Sequence, residues 1–285
     1  MKSWFLFLCT LTVAADVSAY IIKSKTILER AGKTRGEGIY ALQQEVVFKN
    51  DVETISMTEN WVVVNGERMY MDAKGNGFHF LHVYNDRNKF LVDEQGVEIT
   101  LRLSEDFFEP WFHYRSLGTI GAALAKIGVL PAGSWNRENF TKDAKGKFTY
   151  SPETNVRLGR TQGVIAYAFG KPTPADSTQA LPGVWFEQDR FFLRKIRFPS
   201  LSEVTADEFA EYPKGLWFPT TRTVAWGENR VNIRVLKIAS APSSSDLADR
   251  TNPSFLKTQK ADVLRTQVGT SGLAPIIREF YSRFR

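Results

Sequence analysis

A chain of 285 residues with 43% hydrophobic residues is long enough to bury a large core in one main domain. Its formal net charge of +6 is carried without any Lys/Arg run, which argues against a nucleic-acid-binding tract and leaves ordinary solubility charge, on a basic surface able to meet anionic envelope surfaces. The single cysteine, Cys9, falls in an N-terminal leader, so the mature chain is expected to have no disulfide, thiolate metal site or cysteine nucleophile.

That leader is residues 1–19. Met1-Lys2 gives a positive start, Trp4 to Ala15 an apolar run too short to span a bilayer, and Val17-Ser18-Ala19 a small-residue cleavage signature. A secretory signal peptide cleaved after Ala19 and an exported mature chain follow. Residues 20–35 then pattern as an amphipathic helix stopped by Gly32 and the Gly36-Glu37-Gly38 turn.

From residue 39 the period changes from helix to strand. Residues 39–49 and 53–64 are predicted strands joined at Asn50-Asp51, and Asn65-Gly66 predicts a two-residue hairpin. With that turn, Val64 opposes Glu67 and Val62 opposes Met69. One face then carries Val62, Val64, Met69 and Met71, while the other mixes Trp61, Val63 and Tyr70 with Glu59, Arg68 and Asp72. Methionines suit a surface that adapts to loosely shaped ligands, and they fill ordinary cores equally well. Strands at 78–84, 89–92 and 97–103 follow. In the last, Val97, Ile99, Leu101 and Leu103 alternate with Glu98, Thr100 and Arg102, as one-sided antiparallel sheets require.

Residues 104–128 read as one amphipathic helix among these strands. Ser104 is its expected N-cap, Glu105, Asp106 and Glu109 complement the macrodipole, and Gly128 ends it. Phe108, Trp111, Phe112, Leu117, Ile120, Leu124 and Ile127 form a bulky apolar stripe that must cover something apolar. A polar loop at 131–153 leads to strands at 156–171, 183–188, 191–199, 201–212, 215–226 and 230–239, with a further loop at 172–182. The serine-rich stretch 242–246 reads as a linker. Beyond it lies an appendage with a helix at 274–284, whose stripe of Ile276, Ile277, Phe280, Tyr281 and Phe284 suits a docked surface helix or, flanked by Arg278, Arg283 and Arg285, a basic partner- or membrane-binding segment.

The pattern lacks a catalytic set. His79 and His82 lie three apart on a strand and point to opposite faces, while His113 sits among aromatic residues on the expected helix. No HExxH spacing, serine nucleophile elbow or phosphate loop is present, so neither a metal, a cofactor nor an enzyme is expected.

Several segments together carry a family likeness: Ser104-Glu105-Asp106-Phe107-Phe108-Glu109-Pro110, Leu158-Gly159-Arg160, Val184-Trp185-Phe186-Glu187-Gln188-Asp189-Arg190-Phe191 and Gly215-Leu216-Trp217-Phe218-Pro219. In this order the chain from about 20 to 242 resembles the periplasmic outer-membrane lipoprotein carrier (LolA/LolB-like) superfamily. The resemblance implies a mainly β, α+β fold: a curved antiparallel half-barrel whose apolar concave face is covered by helices, with residues 243–285 as linker and C-terminal appendage. It also implies a periplasmic carrier or chaperone that binds lipid or lipoprotein acyl chains for transfer to the outer membrane. The alternative is a non-enzymatic envelope sensor or assembly protein on the same fold, using the tail to contact an envelope protein. The expected lipid-binding lining is Val62, Val64, Met69, Met71, Phe78, Phe80, Val97, Ile99, Leu101, Val231, Ile233 and Val235 from the sheet. Phe108, Trp111, Phe112, Leu117, Ile120 and Leu124 come from a covering lid. Each methylene buried there would contribute ~0.8 kcal/mol.

Overall fold

The computed structural model describes residues 21–92, 97–136, 140–142, 144–150, 153–242, 246–264 and 271–285. The leader with Cys9, the turn at 93–96 and most of the serine-rich linker lie outside the described residues. The first half forms strands β1 (Ile39–Lys49), β2 (Thr54–Val63), β3 (Arg68–Gly75), β4 (Phe78–Asn85), β5 (Asn88–Val92) and β6 (Glu98–Arg102). A small separate pair, β7 (Phe140–Lys142) and β8 (Phe148–Tyr150), lies in the loop that was expected to be irregular. The second half forms β9 (Val156–Thr161), β10 (Val164–Phe169), β11 (Gly183–Glu187), β12 (Leu193–Arg197), β13 (Glu203–Tyr212), β14 (Leu216–Trp226) and β15 (Asn229–Ala241).

Thirteen of these strands make one antiparallel sheet in the order β6-β5-β4-β3-β2-β1-β15-β14-β13-β12-β11-β10-β9. β6 and β9 are its two ends and do not pair with each other, so the sheet is an open half-barrel rather than a closed one. Alternation explains its main core. Tyr40, Leu42, Val46 and Phe48 of β1 face inward beside Val63, Trp61, Met57 and Ile55 of β2, and all eight are buried. Residues 156–171, expected as one strand, are the β9–β10 hairpin. It turns at Gln162-Gly163, where both residues take positive φ, 48° and 80°, as a tight primed turn demands.

The β2–β3 register differs from the expected one by a residue. The Asn65 carboxamide oxygen accepts the amide protons of Glu67 and Arg68 at 2.9 Å each, and the Val64 N–H bonds to the Arg68 carbonyl, so the loop holds three residues instead of two. Val63 therefore opposes Met69 and Trp61 opposes Met71. A one-residue slip flips every side chain. Val62 and Val64 point away from the methionines to the outer face. There Val62 is buried with Tyr70, Leu81, Val83 and Val92, and Val64 packs against the same cluster.

The continuous helix expected at 104–128 is instead two short pieces. A 3-10 turn covers Glu109–Phe112, and helix α2 covers Leu117–Lys126. A helix starting at Ser104 would place Pro110 in its interior, where it lacks an N–H and clashes with the preceding turn. Ser116, not Ser104, is the N-cap, its Oγ accepting the Thr119 amide at 3.1 Å. Helix α1 (Ser24–Lys33) contacts α2, and at Gly32 a Cβ atom would stand 2.5 Å from the Arg115 carbonyl oxygen.

The C-terminal stretch grips the sheet on both faces. Helix α3 (Phe255–Leu264) brings Phe255 and Leu256 to the outer cluster, and helix α4 (Ala274–Arg283) contributes Ile277, Phe280 and Tyr281 to the main inner core. The surface-docked helix expected there is thus an interior helix.

Gly32→Ala gives a sign-reversing test of the α1–α2 approach. An exposed helical glycine gains up to about 1 kcal/mol on replacement by alanine. Here the crowded methyl should instead cost about 1–3 kcal/mol in urea unfolding.

Candidate functional site

The concave face, expected to be a ligand groove under a helical lid, already holds α4. Phe280 packs edge-on to Phe48 at 5.3 Å, Tyr281 stacks on Phe80 at 4.2 Å, and Phe284 lies 4.8 Å from Trp226. The β1–β2 turn and strand β5 supply an oppositely charged group for each end of this helix. At its N-terminus the Glu53 carboxylate accepts the Leu273 amide at 3.0 Å and the Ser271 hydroxyl at 2.8 Å. At its C-terminus Lys89 Nζ donates to the main-chain oxygens of Tyr281, Ser282 and Arg285 at 3.2, 2.8 and 2.7 Å. Both placements match the helix macrodipole. Burial draws the Lys89 amine down to about 8.

Apolar packing alone does not fix α4. Phe280, Tyr281 and Phe284 each remove about 200 Å² from water, worth roughly 15 kcal/mol together at 25 cal/mol per Å², and buried Leu273 and Ile277 add about 2 kcal/mol each. Ordering residues 273–285 costs about 13–26 kcal/mol. The two terms nearly cancel, so the polar fastenings decide the outcome.

The central fastening is a buried four-charge network. Arg285 donates through Nε to Glu59 at 3.0 Å and through Nη1 to Glu109 at 3.2 Å, and Arg222 donates to Glu109 at 2.8 Å. All four side chains are fully buried. Gln44 ties the two halves together, giving its amide to Glu59 at 2.5 Å and accepting from Arg222, while Trp61 Nε1 donates to Glu59 at 2.8 Å. Arg222 Nε and Arg285 Nη2 have no hydrogen-bond partner among the described residues, and both guanidiniums lie against rings. Arg222 is 5.0 Å from the Phe218 centroid and Arg285 is 4.5 Å from that of Phe108. Burial opposes every one of these charges. For Glu109 the Arg222 guanidinium, aided by His113 and Arg285, prevails and holds its carboxyl far below the usual range. For Arg285 the carboxylates of Glu59 and Glu109 outweigh burial, and its pKa is raised. Burial lowers His113, against the pull of Glu109 at 3.2 Å, and lowers His82 further with help from Lys89 and Arg285.

A second fastening lies nearby. Asp106 accepts the Ser200 and Ser202 hydroxyls at 2.6 and 3.1 Å and also pairs with Arg283 of α4. Asp106 and Glu109, expected as helix-capping charges, are therefore clasps between the connecting turn, the sheet and α4.

What remains open is a cleft of about 440 Å³ at the mouth of the half-barrel. Phe107, Pro110, Trp111 and Tyr114 from the connecting turn, Ala122, Ala123 and Ile127 of the α2 segment, and Leu103 line it. Its rim balances Arg87, Arg102 and Lys126 against Glu67, Asp86 and Glu105. Gly66 forms part of the wall, since a side chain there would meet the Tyr114 ring within 2.5 Å. Burial, with Glu67 adding to it, pushes the Tyr114 phenol up to about 12. A second recess of about 510 Å³ is formed by 128–132, 154–157 and 170–172.

The residues expected to line a lipid cavity fall in four places. Met69, Met71, Phe78, Phe80, Val231, Ile233 and Val235 lie on the inner face, with Phe108, Phe112, Leu117, Ile120 and Leu124 packed into the same core. Trp111 joins that core and also lines the open cleft. Val62 and Val64 are on the outer face. Val97, 55% exposed, and Leu101, 43% exposed, with half-buried Ile99, are at the free edge beyond the reach of the core. None of Glu59, Glu109, Arg222, Arg285, Lys89 and Glu53 was expected in the site: Glu109 was read as a capping charge, Glu59 as part of the mixed hairpin face and Arg285 as a flank of a basic segment. A polar residue at an inward parity position, as Gln44, Glu59 and Arg222 are, was the available signal.

No family model matches the chain, and no curated protein matches it. Among solved structures, a domain named for outer-membrane lipoprotein sorting from Vibrio parahaemolyticus is 14% identical, covering 82% of this chain and 97% of its own, with a TM-score of 0.48. A LolA-superfamily protein from Nitrosomonas europaea is 13% identical, covering 78% and 95%, with a TM-score of 0.48. A DUF1329-family protein from Desulfovibrio piger is 8% identical over 78% and 94%, with a TM-score of 0.46. At these identities the likeness concerns the fold alone.

Removing the Arg285 guanidinium leaves buried Glu59 with no cationic partner and Glu109 with one arginine instead of two, so Arg285→Met should lose about 3–5 kcal/mol in chemical unfolding. Acid should also unfold the protein in two stages. His82 and His113 are held neutral, so only the unfolded chain takes up their protons as pH falls below about 6.5. Stability should then fall by up to about 1.4 kcal/mol per pH unit for each histidine. Glu109, depressed in the fold, stabilises above its ordinary value of 4.5, and that contribution is lost as pH falls further. Urea midpoints between pH 7 and pH 2 measure both stages.

Proposed function

We propose that the chain is an exported, non-enzymatic periplasmic carrier that binds the acyl part of a lipid or lipoprotein for delivery to the outer membrane. One observation carries the reading: the cleft described above is an open receptacle lined by Phe107, Trp111, Tyr114, Leu103 and Ile127 under a charge-balanced polar rim. Such a lining holds a hydrocarbon chain by area alone, at ~0.8 kcal/mol per buried methylene, and releases it to any competing apolar site. The cleft belongs to the connecting turn and the mouth of the half-barrel, so part of the expected lid serves as its floor.

The interior titratable groups do not favour catalysis. Glu59 and Glu109 are engaged by two arginines, and the Nε2 atom of His113 is engaged by Glu109. None of the three lines the cleft. The sensor or assembly alternative relied on the tail as a contact surface. That use is weakened because Ile277, Phe280, Tyr281 and Phe284 are buried against the sheet.

Ala122 is exposed on α2 and faces the cleft without joining the core, so Ala122→Arg tests the reading without disturbing the fold. Titration with a fluorescent C16 fatty acid should show at least tenfold weaker binding by the variant at an unchanged melting temperature. Equal affinity of the two proteins would contradict binding in this cleft.

A further inference from the structure

The groove behind the cleft is an apolar trough with two polar stations, and one residue just after α4, Arg285, serves both. The main-chain oxygen of Arg285 takes a hydrogen bond from Lys89, while its guanidinium reaches Glu59 and Glu109. A bare hydrocarbon replacing α4 would leave a buried ammonium and two buried carboxylates short of partners, which the apolar gain does not offset. A replacement must therefore carry an oxygen acceptor and a cation one residue's length apart, above a hydrocarbon body able to take the place of Phe280, Tyr281 and Phe284. An amphiphile with an amine–phosphate head meets all three conditions: phosphate on Lys89, ammonium on Glu59 and Glu109, acyl chains along the trough.

We propose that α4 is a tethered stand-in for cargo, and that a zwitterionic amine–phosphate lipid displaces it from the groove. This rests on the acyl-binding reading of the cleft. Glu109 links the two sites: it precedes Pro110 and Trp111, which line the cleft, and it accepts from Arg285. A chain entering at the cleft thus bears on the residue that fastens α4. The near balance between α4 packing and ordering makes exchange of one occupant for another feasible, whereas a helix held mainly by apolar area would not yield.

The test uses the full mature chain with short-chain, water-soluble dihexanoyl phosphatidylethanolamine or dihexanoyl phosphatidylglycerol. Native mass spectrometry reads binding, and hydrogen exchange reads α4. Phosphatidylethanolamine should bind and speed amide exchange across residues 274–283 by at least tenfold, and phosphatidylglycerol should do so far less. In Arg285→Met, which frees the carboxylates for the ammonium, phosphatidylethanolamine should bind about tenfold more tightly. In Lys89→Met, which removes the phosphate station, it should bind more weakly. Binding of phosphatidylethanolamine with α4 protection unchanged would overturn the displacement while leaving the cleft reading intact. Equal acceleration by both lipids would overturn the head-group assignment, and absence of lipid binding to wild type and Arg285→Met alike would overturn both readings.

Discussion

The interior of this half-barrel is governed by the pairing of Glu59 and Glu109 with Arg222 and Arg285. Four full charges without solvent are tolerable only when each is matched, and every member here comes from a different part of the fold. Glu59 lies on β2, Glu109 in the connecting turn, Arg222 on β14 and Arg285 just after α4. Packing of those four parts is consequently coupled, because removing any one leaves an unbalanced charge in a low-dielectric core. The aromatic shell around the guanidiniums, with Phe108 against both, adds shape to that coupling.

The sheet and its C-terminal stretch then read as one device. A strongly curved sheet with a one-sided core needs its concave face covered, and this chain covers it with its own helix. Glu53 and Lys89 fit that helix end to end, the first at the positive end of its dipole and the second at the negative end. The same stretch places α3 against the outer face of β3, β4 and β5 before α4 enters the inner one. Covering the groove from within confines the open receptacle to the mouth, where Trp111 connects the cleft to the core.

Most strand positions, with α1 and α4, were legible because period-two alternation, amphipathic stripes and glycine-bearing turns are local signals. β1 matches its expected bounds, and α4 ends within a residue of its expected end. The failures have physical causes. Asn65-Gly66 predicts a two-residue turn, yet the Asn65 side chain captures two amides and adds a residue, which moved Glu59 and Trp61 from the supposed wet face to the core. Asp106 and Glu109 have the spacing of capping charges, but Pro110 breaks the helix they would cap and frees them for arginines about 100 to 180 positions away in sequence. No local pattern announces such partners. The interior role of α4 was hidden for a similar reason, since an amphipathic stripe shows that a face is buried without showing against what.

The central claim is that charge pairing fastens α4 inside the sheet, and a double-mutant cycle between Glu59 and Arg285 tests it most directly. Urea unfolding of wild type, Glu59→Gln, Arg285→Met and the double variant yields the coupling energy. A coupling of about 2–5 kcal/mol, with the double variant far less destabilised than the two single losses combined, is the predicted result. Additive losses would contradict the account.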